Sequence, residues 1–283
     1  MDIYYVDGEF VPENEAFVLA KDIAVLRGFG AFDFMRTYGR RPFHLEDHIA
    51  RLRKSTEKIG LDLKWSDEEI SKAVMDTLEK NPSYEEANIR IVVTGGESSN
   101  GVLPEGNGKL IIMVSDKHAC PEWWYTDGAP VVTVDVERYI PEAKSINYMN
   151  AVIAQKKAKN KDAVEAIYVD REQRVLEGTT TNIYGFKGNK LVTPGTDILD
   201  GITRKVVLDL AKEDFEVEIR DIKKDELADF EEIFMSASNK EIVPVIKIDD
   251  LTIGNGKPGP KTQKIMDAFR KLTDAYGARK ETA

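Results

Sequence analysis

The spacing of apolar and polar positions changes several times along the chain, and each change marks an expected element. Residues 3–11 (IYYVDGEFV) read as two short strands around an Asp7-Gly8 turn, since this dipeptide suits a two-residue hairpin. Residues 31–38, 89–94 and 109–115 have strand length and strand composition. Leu45, Ile49, Leu52 and Ile59 approximate a helical stripe over 45–59. Ser66 followed by Asp67, Glu68 and Glu69 predicts a helix start for residues 67–80. Residues 116–128 (DKHACPEWWYTDG) then break the pattern with polar and turn residues. Beyond them, strands are expected near 130–136, 164–170, 182–186, 190–193, 215–220, 231–236 and 242–248. Helices are expected near 147–160, 203–212 and 261–275, and residues 276–283 read as a polar tail. The expected fold is α+β or mixed α/β in two domains. A small N-terminal α+β domain covers 1–117, an interdomain loop 118–126, and a larger C-terminal domain 127–283.

Composition narrows the function classes. With 42% hydrophobic and 32% charged residues, the 283-residue chain can build a real core. No apolar run approaches the roughly 20 residues that span a bilayer. The start, MDIYYVDGEF, has no basic stretch leading into an apolar one, so no signal peptide is expected. One cysteine, Cys120, forms no internal disulfide and reads as a packed or surface thiol, which favours a reducing, cytoplasmic setting. The formal charge of -10 disfavours nucleic acid as a partner. His44, His48 and His118 share no metal-ligand spacing, and neither HExxH nor CxxC occurs, so no metal is expected. A small anionic substrate would have to be met by local arginines or backbone amides.

Five segments carry candidate chemistry. Lys144, in EAKSINYMN (142–150), follows Pro141 and has Asn147, Tyr148 and Asn150 beside it. A lysine that attacks aldehydes must be partly desolvated, whereas most lysines are solvated surface groups. Glu177, in EGTTTN (177–182), reads either as a turn residue at a strand entrance or as a carboxylate against a pyridine nitrogen. In LDGITR (199–204), Gly201, Ile202 and Thr203 open a helix, either as an ordinary start or as a phosphate site at its positive end. In ASNKEIVPV (237–245), the Ser238 hydroxyl suits a phosphate, and the amides of Asn239 and Lys240 suit a carboxylate. Arg51 projects from the helix carrying DHIARL (47–52).

Together, in this order and spacing, the five segments resemble the fold-type IV (class IV) pyridoxal 5'-phosphate (PLP) enzymes. That group holds branched-chain aminotransferases, D-amino acid aminotransferases and aminodeoxychorismate lyase. The resemblance runs from RGFG near residue 27 to IVPV near 245. It implies that Lys144 is the Schiff-base lysine and the proton shuttle between substrate Cα and cofactor C4'. It implies that Glu177 partners the pyridine nitrogen, and that Arg51, Ile202, Thr203 and Ser238 hold the phosphate, with Asn239 alongside. Tyr148 matches the tyrosine near O3' in the branched-chain branch. The C-terminal domain would bind PLP, and the family works as a homodimer.

The substrate is read from fewer residues. Strand alternation puts Phe32, Phe34 and Arg36 on one face of 31–38, the face that lines the substrate pocket in this family. Bacillary D-amino acid aminotransferases show lysine where this chain has Arg36. Arg90, within IRIVVTGG (89–96), should be buried and therefore paired, by a structural carboxylate or by the substrate α-carboxylate. The loop ESSNGVLPEGNG (97–108) has neither the arginine nor the histidine of the bacillary branch, which leaves Arg27 and Arg90 as the carboxylate candidates. These features resemble a non-standard D-amino acid branch, with D-alanine or D-glutamate as donor and 2-oxoglutarate or pyruvate as acceptor. KSINYMN and EGTTTN lean toward branched-chain L-amino acid enzymes. A lyase of the aminodeoxychorismate type usually follows its lysine with a different segment, closer to KHLNR.

Overall fold

The computed structural model describes residues 1–117 and 119–278. By contact the chain divides into two units, one of residues 1–117, 142–148 and 274–278, the other of 119–141 and 149–273. The lysine segment 142–148 and the end of the chain thus count with the N-terminal part. A division read along the sequence assigns both to the C-terminal domain, because no composition change marks either return. His118 and residues 279–283, which fall in the expected loop and tail, lie outside the described residues.

The first unit is built on a six-stranded sheet ordered β2-β1-β6-β5-β3-β4. Its strands are β1 (Ile3–Val6), β2 (Glu9–Pro12), β3 (Gly30–Tyr38), β4 (Arg41–Pro42), β5 (Ala87–Thr94) and β6 (Leu110–Asp116). Its helices are α1 (Ile23–Arg27), α2 (Leu45–Lys58) and α3 (Asp67–Glu79). The β1–β2 hairpin turns at Asp7 and Gly8, both at positive φ (51° and 108°), and so keeps Val6 opposite Glu9. At the start of α3, Ser66 and Glu69 form a reciprocal capping box that satisfies two of the helix's first amides. Along β5, Ala87, Ile89, Ile91 and Val93 are buried against Ile49, Leu52, Ile70 and Val74 of α2 and α3. Arg90 lies on the opposite, exposed face, so the expectation of a buried arginine was wrong: the strand alternates, and its apolar appearance comes from one face.

The second unit carries a ten-stranded mixed sheet and α4 (Trp123–Thr126), α5 (Met149–Lys159), α6 (Ile202–Ala211) and α7 (Pro260–Ala278), the last turns of α7 counting with the first unit. The strands are β7 (Ala129–Asp135), β8 (Glu165–Val169), β9 (Arg174–Gly178), β10 (Asn182–Lys187), β11 (Lys190–Thr193), β12 (Glu216–Ile219), β13 (Ile222–Lys223), β14 (Glu232–Ala237), β15 (Glu241–Ile248) and β16 (Leu251–Thr252). They are ordered β12-β11-β10-β14-β15-β7-β8-β9-β13, with β16 on β15. One sheet face packs around Ile167, Met235 and Val243, and the other holds Tyr168 and Val132 against Ala154 and Ala158 of α5. Part of the expected loop 118–126 is the helix α4, whose Trp124 and Tyr125 pack on the first of these clusters. Residues 276–278, expected in a polar tail, continue α7. Tyr276 there packs edge-on against Phe43 and donates to Pro42 O at 2.7 Å. No helix among the described residues is long and apolar enough to cross a membrane.

Candidate active site

In the first unit the site is built around the lysine segment, which pairs with the Gly30–Phe32 stretch of β3, beyond the reach of β4. Phe32 N donates to Lys144 O at 2.9 Å, Ile146 N donates to Gly30 O at 3.0 Å, and Ser145 bridges Ala31. Lys144 N donates to Ser55 Oγ at 3.0 Å, and that hydroxyl donates to Arg51 O at 2.8 Å, which ties the lysine backbone to α2. The half-buried Lys144 Nζ lies 4.6 Å from the centroid of the Phe32 ring. Tyr148 meets the same ring edge-on at 5.3 Å. In register, Phe34 faces Arg90 across β3 and β5, and the Arg90 guanidinium sits 5.6 Å from Phe34 and 5.8 Å from Phe32. A strand and its edge segment thus bring Lys144, Tyr148, Phe32, Phe34 and Arg90 into one group.

Arg36 continues the same face but stands apart from this group. Four residues beyond Phe32, it is roughly 13 Å away by strand rise, buried, with its guanidinium 4.2 Å from the Tyr38 ring. Arg27 ends α1 with its guanidinium exposed, and its Nη2 is 3.7 Å from where a Cβ on Gly101 would stand. It therefore lies against the 97–108 loop.

Behind the lysine segment is a buried polar triad that the sequence did not reveal. Asp33 accepts from Arg51 Nε at 2.9 Å and Nη2 at 2.8 Å, and from His48 Nδ1 at 2.6 Å. Burial would raise the Asp33 pKa, but Arg51 and His48 hold it well below the usual carboxylate range. Burial pushes His48 below its ordinary value. Asp33 opposes this, and the positive charges of Arg51 and Lys144 add to it. Arg51 is thus a buried, fixed guanidinium instead of a solvated helix residue. The period of three between His48 and Arg51, with Asp33 on the inner face of β3, was the available signal.

In the second unit Glu177 is almost fully buried at the end of β9. Its Oε1 accepts from Arg138 Nη2, which also donates to Pro141 O, and its Oε2 accepts from Leu199 N at 3.0 Å. Arg138 was missed, since no local pattern connects it to a glutamate 39 residues on. Gly201 is the N-cap of α6, with no side chain to satisfy the first-turn amides of Ile202 and Thr203. A Cβ on Gly201 would stand 2.1 Å from Asn182 Oδ1, so the close approach requires glycine.

These features fit a phosphorylated pyridine cofactor. The helix start offers uncapped amides. The buried Thr181 hydroxyl has no partner among the described residues, and those of Thr203 and Ser238 make no hydrogen bond there. Glu177 is a buried carboxylate held by Arg138 and Leu199 N, chemistry that suits a protonated ring nitrogen. The amides of Asn239 and Lys240 also have no protein acceptor among the described residues. The Lys240 side chain points inward, where its Nζ donates to Glu165 at 2.8 Å, so only its backbone remains available to a ligand.

The comparisons agree with this chemistry. Residues 30–248 match the model of the amino-transferase class IV family. A putative branched-chain-amino-acid aminotransferase of Methanocaldococcus jannaschii is 35% identical over 97% of this chain and 98% of its own. A D-alanine aminotransferase of Bacillus licheniformis is 32% identical over 93% of this chain and 94% of its own. The crystal structure of the T.th. branched-chain amino acid aminotransferase with pyridoxamine 5'-phosphate superposes with a TM-score of 0.91 at 26% identity, covering 97% of this chain and 94% of that one. The full-length match, together with a lysine and a carboxylate in chemically suitable settings, makes this chain a member of the class IV aminotransferases, PLP-dependent transaminases of fold type IV.

Proposed function

We propose that this transaminase takes D-amino acids, passing the amino group of a donor such as D-alanine or D-glutamate to 2-oxoglutarate or pyruvate. The observation that carries the reading is Arg90. It is exposed, has no ion pair or hydrogen bond among the described residues, and lies beside the two rings that border Lys144. A guanidinium so placed is suited to grip a carboxylate bidentately. Arg27 supports the reading, because it lies against the loop that lacks both arginine and histidine.

Bound PLP supplies an electron sink that lets an α-proton leave the amino acid. Lys144 anchors the cofactor between turnovers, and its released amine moves the proton between substrate Cα and cofactor C4'. Glu177, braced by Arg138, keeps the pyridine nitrogen protonated. With PLP bound, Arg51, Ser238 and the amides of Ile202 and Thr203 would hold its phosphate, and Tyr148 would serve its O3'. The amides of Asn239 and Lys240 assist with the substrate carboxylate, and Phe32 and Phe34 shape the face that meets the side chain, while Arg36, buried on Tyr38, backs the far end of that strand face. A homodimer is supported by apolar side chains left exposed in each unit. Phe17, Leu26, Val102 and Leu103 are exposed in the first, and Met149 and Ile153 in the second. The single cysteine fits a cytoplasmic setting.

Branched-chain L-amino acids are the second reading, favoured by Tyr148 against Phe32. Two variants test the assignment. Lys144→Ala should lose the visible absorption band of lysine-bound PLP and at least about 10²–10⁴-fold of turnover. Arg90→Ala should raise the KM for D-alanine roughly 10- to 150-fold, the worth of a charged hydrogen bond, and leave the Kd for PLP within about twofold. An unchanged KM removes Arg90 from the carboxylate site.

A further inference from the structure

Glu165, at the head of β8, is completely buried, and the machinery assigned above gives it no role. Its carboxylate is nevertheless heavily engaged. Oε2 accepts from Lys240 Nζ at 2.8 Å and from Thr180 Oγ1 at 2.8 Å. Oε1 accepts from Ala166 N at 3.0 Å, and from Thr179 Oγ1 and Gln155 Nε2. Lys240 Nζ also donates to Thr180 Oγ1 at 2.7 Å, which closes a ring of three groups. Burial raises the Glu165 pKa, but Lys240 and the threonine hydroxyls more than offset it, so the group stays ionised.

The connections made by this carboxylate matter more than its charge. Thr179 and Thr180 belong to the turn that follows Glu177 and ends at the unpartnered Thr181 hydroxyl. Lys240 belongs to the three-residue turn between β14 and β15, which carries Ser238 and the open amides of Asn239 and Lys240. The same turn is held from its carbonyl side, where Tyr125 donates to Lys240 O at 3.1 Å and Cys120 Sγ approaches Asn239 O at 3.9 Å. With its side chain and carbonyls drawn inward, the turn keeps its amides for an anion.

We propose that Glu165 and Lys240 are positioning residues that lock the 179–181 and 238–240 turns in the geometry that receives the cofactor phosphate and the substrate carboxylate. The proposal rests on the transaminase reading of these turns. Neither residue touches the reacting atoms, so loss of the pair moves affinities and leaves the chemical step largely intact.

The test uses Lys240→Met and the double variant Glu165→Gln/Lys240→Met, which leaves no lone buried charge and so preserves folding. Apoprotein is titrated with PLP by fluorescence, and holoenzyme is assayed with D-alanine and 2-oxoglutarate. The Tm is recorded alongside. The double variant is expected to keep a Tm near wild type. Its Kd for PLP and its KM for 2-oxoglutarate should each rise about tenfold, with kcat within about threefold. A double variant with wild-type Kd and KM overturns the proposal and leaves the pair purely structural. A large fall in kcat at unchanged KM also overturns it. A wild type that takes up no PLP overturns the underlying reading as well, a result separate from either.

Discussion

Asp33 in one unit and Glu165 in the other are both fully buried carboxylates held below their ordinary pKa, yet they are stabilised differently. Asp33 is met by a planar guanidinium and a histidine that project from one face of one helix, α2. Glu165 is met by a lysine, two threonines and a glutamine from three separate parts of the chain. The first arrangement fixes a single rigid strand–helix contact behind Lys144. The second ties together two turns, 179–181 and 238–240, that lie between strands. A charged partner can thus brace an element or substitute for one.

Removing each carboxylate should separate the two arrangements most strongly. Asp33→Ala leaves Arg51 buried and permanently charged, with an expected cost of about 3–5 kcal/mol in urea unfolding. Glu165→Ala should cost less, because the lysine left behind carries its charge on a flexible stem, whereas the arginine fork is fixed. Equal losses would mean that the two carboxylates are braced alike.

Acidification gives the next largest contrast. Asp33, Glu165 and His48 all have lowered folded-state pKa values, so each contributes stability above its unfolded pKa that is lost as pH falls toward the folded value. The unfolded values are about 6.5 for histidine and about 4 for the carboxylates. Amides of β3 and α2 should therefore lose hydrogen-exchange protection below about pH 6.5, before those of β8. His48→Gln should abolish that early phase. If both units loosen together in the wild type, His48 is not the source.

The smallest effect sharpens the control. Ser66→Ala breaks the capping box of α3 and should cost about 1 kcal/mol. It touches neither carboxylate, so the Kd for PLP should not move.

The same contrast explains what was legible in the sequence. Features governed by neighbours in sequence were readable: the Asp7-Gly8 hairpin, the Ser66 cap, and the shared face of Phe32 and Phe34. The single-turn helices α1 and α4 and the two-residue strands β4, β13 and β16 were not, since one turn of helix or two residues of strand complete no readable period. Arg90 was misjudged because an apolar-looking strand still has an outward face. Arg138 with Glu177, and Lys240 with Glu165, lie 39 and 75 residues apart, and no spacing rule links them. Glu165 did leave a trace, as an acidic residue heading the apolar run AIYV. The return of 142–148 to the edge of β3 left none.

The most direct measurement of the substrate assignment is a half-reaction titration of the holoenzyme, with D-alanine and L-leucine added separately and the visible band of lysine-bound PLP followed. D-alanine is expected to deplete the band and yield pyridoxamine phosphate, while L-leucine leaves it unchanged. Depletion by L-leucine alone would contradict the D-amino acid reading and move the enzyme to the branched-chain L-amino acid class.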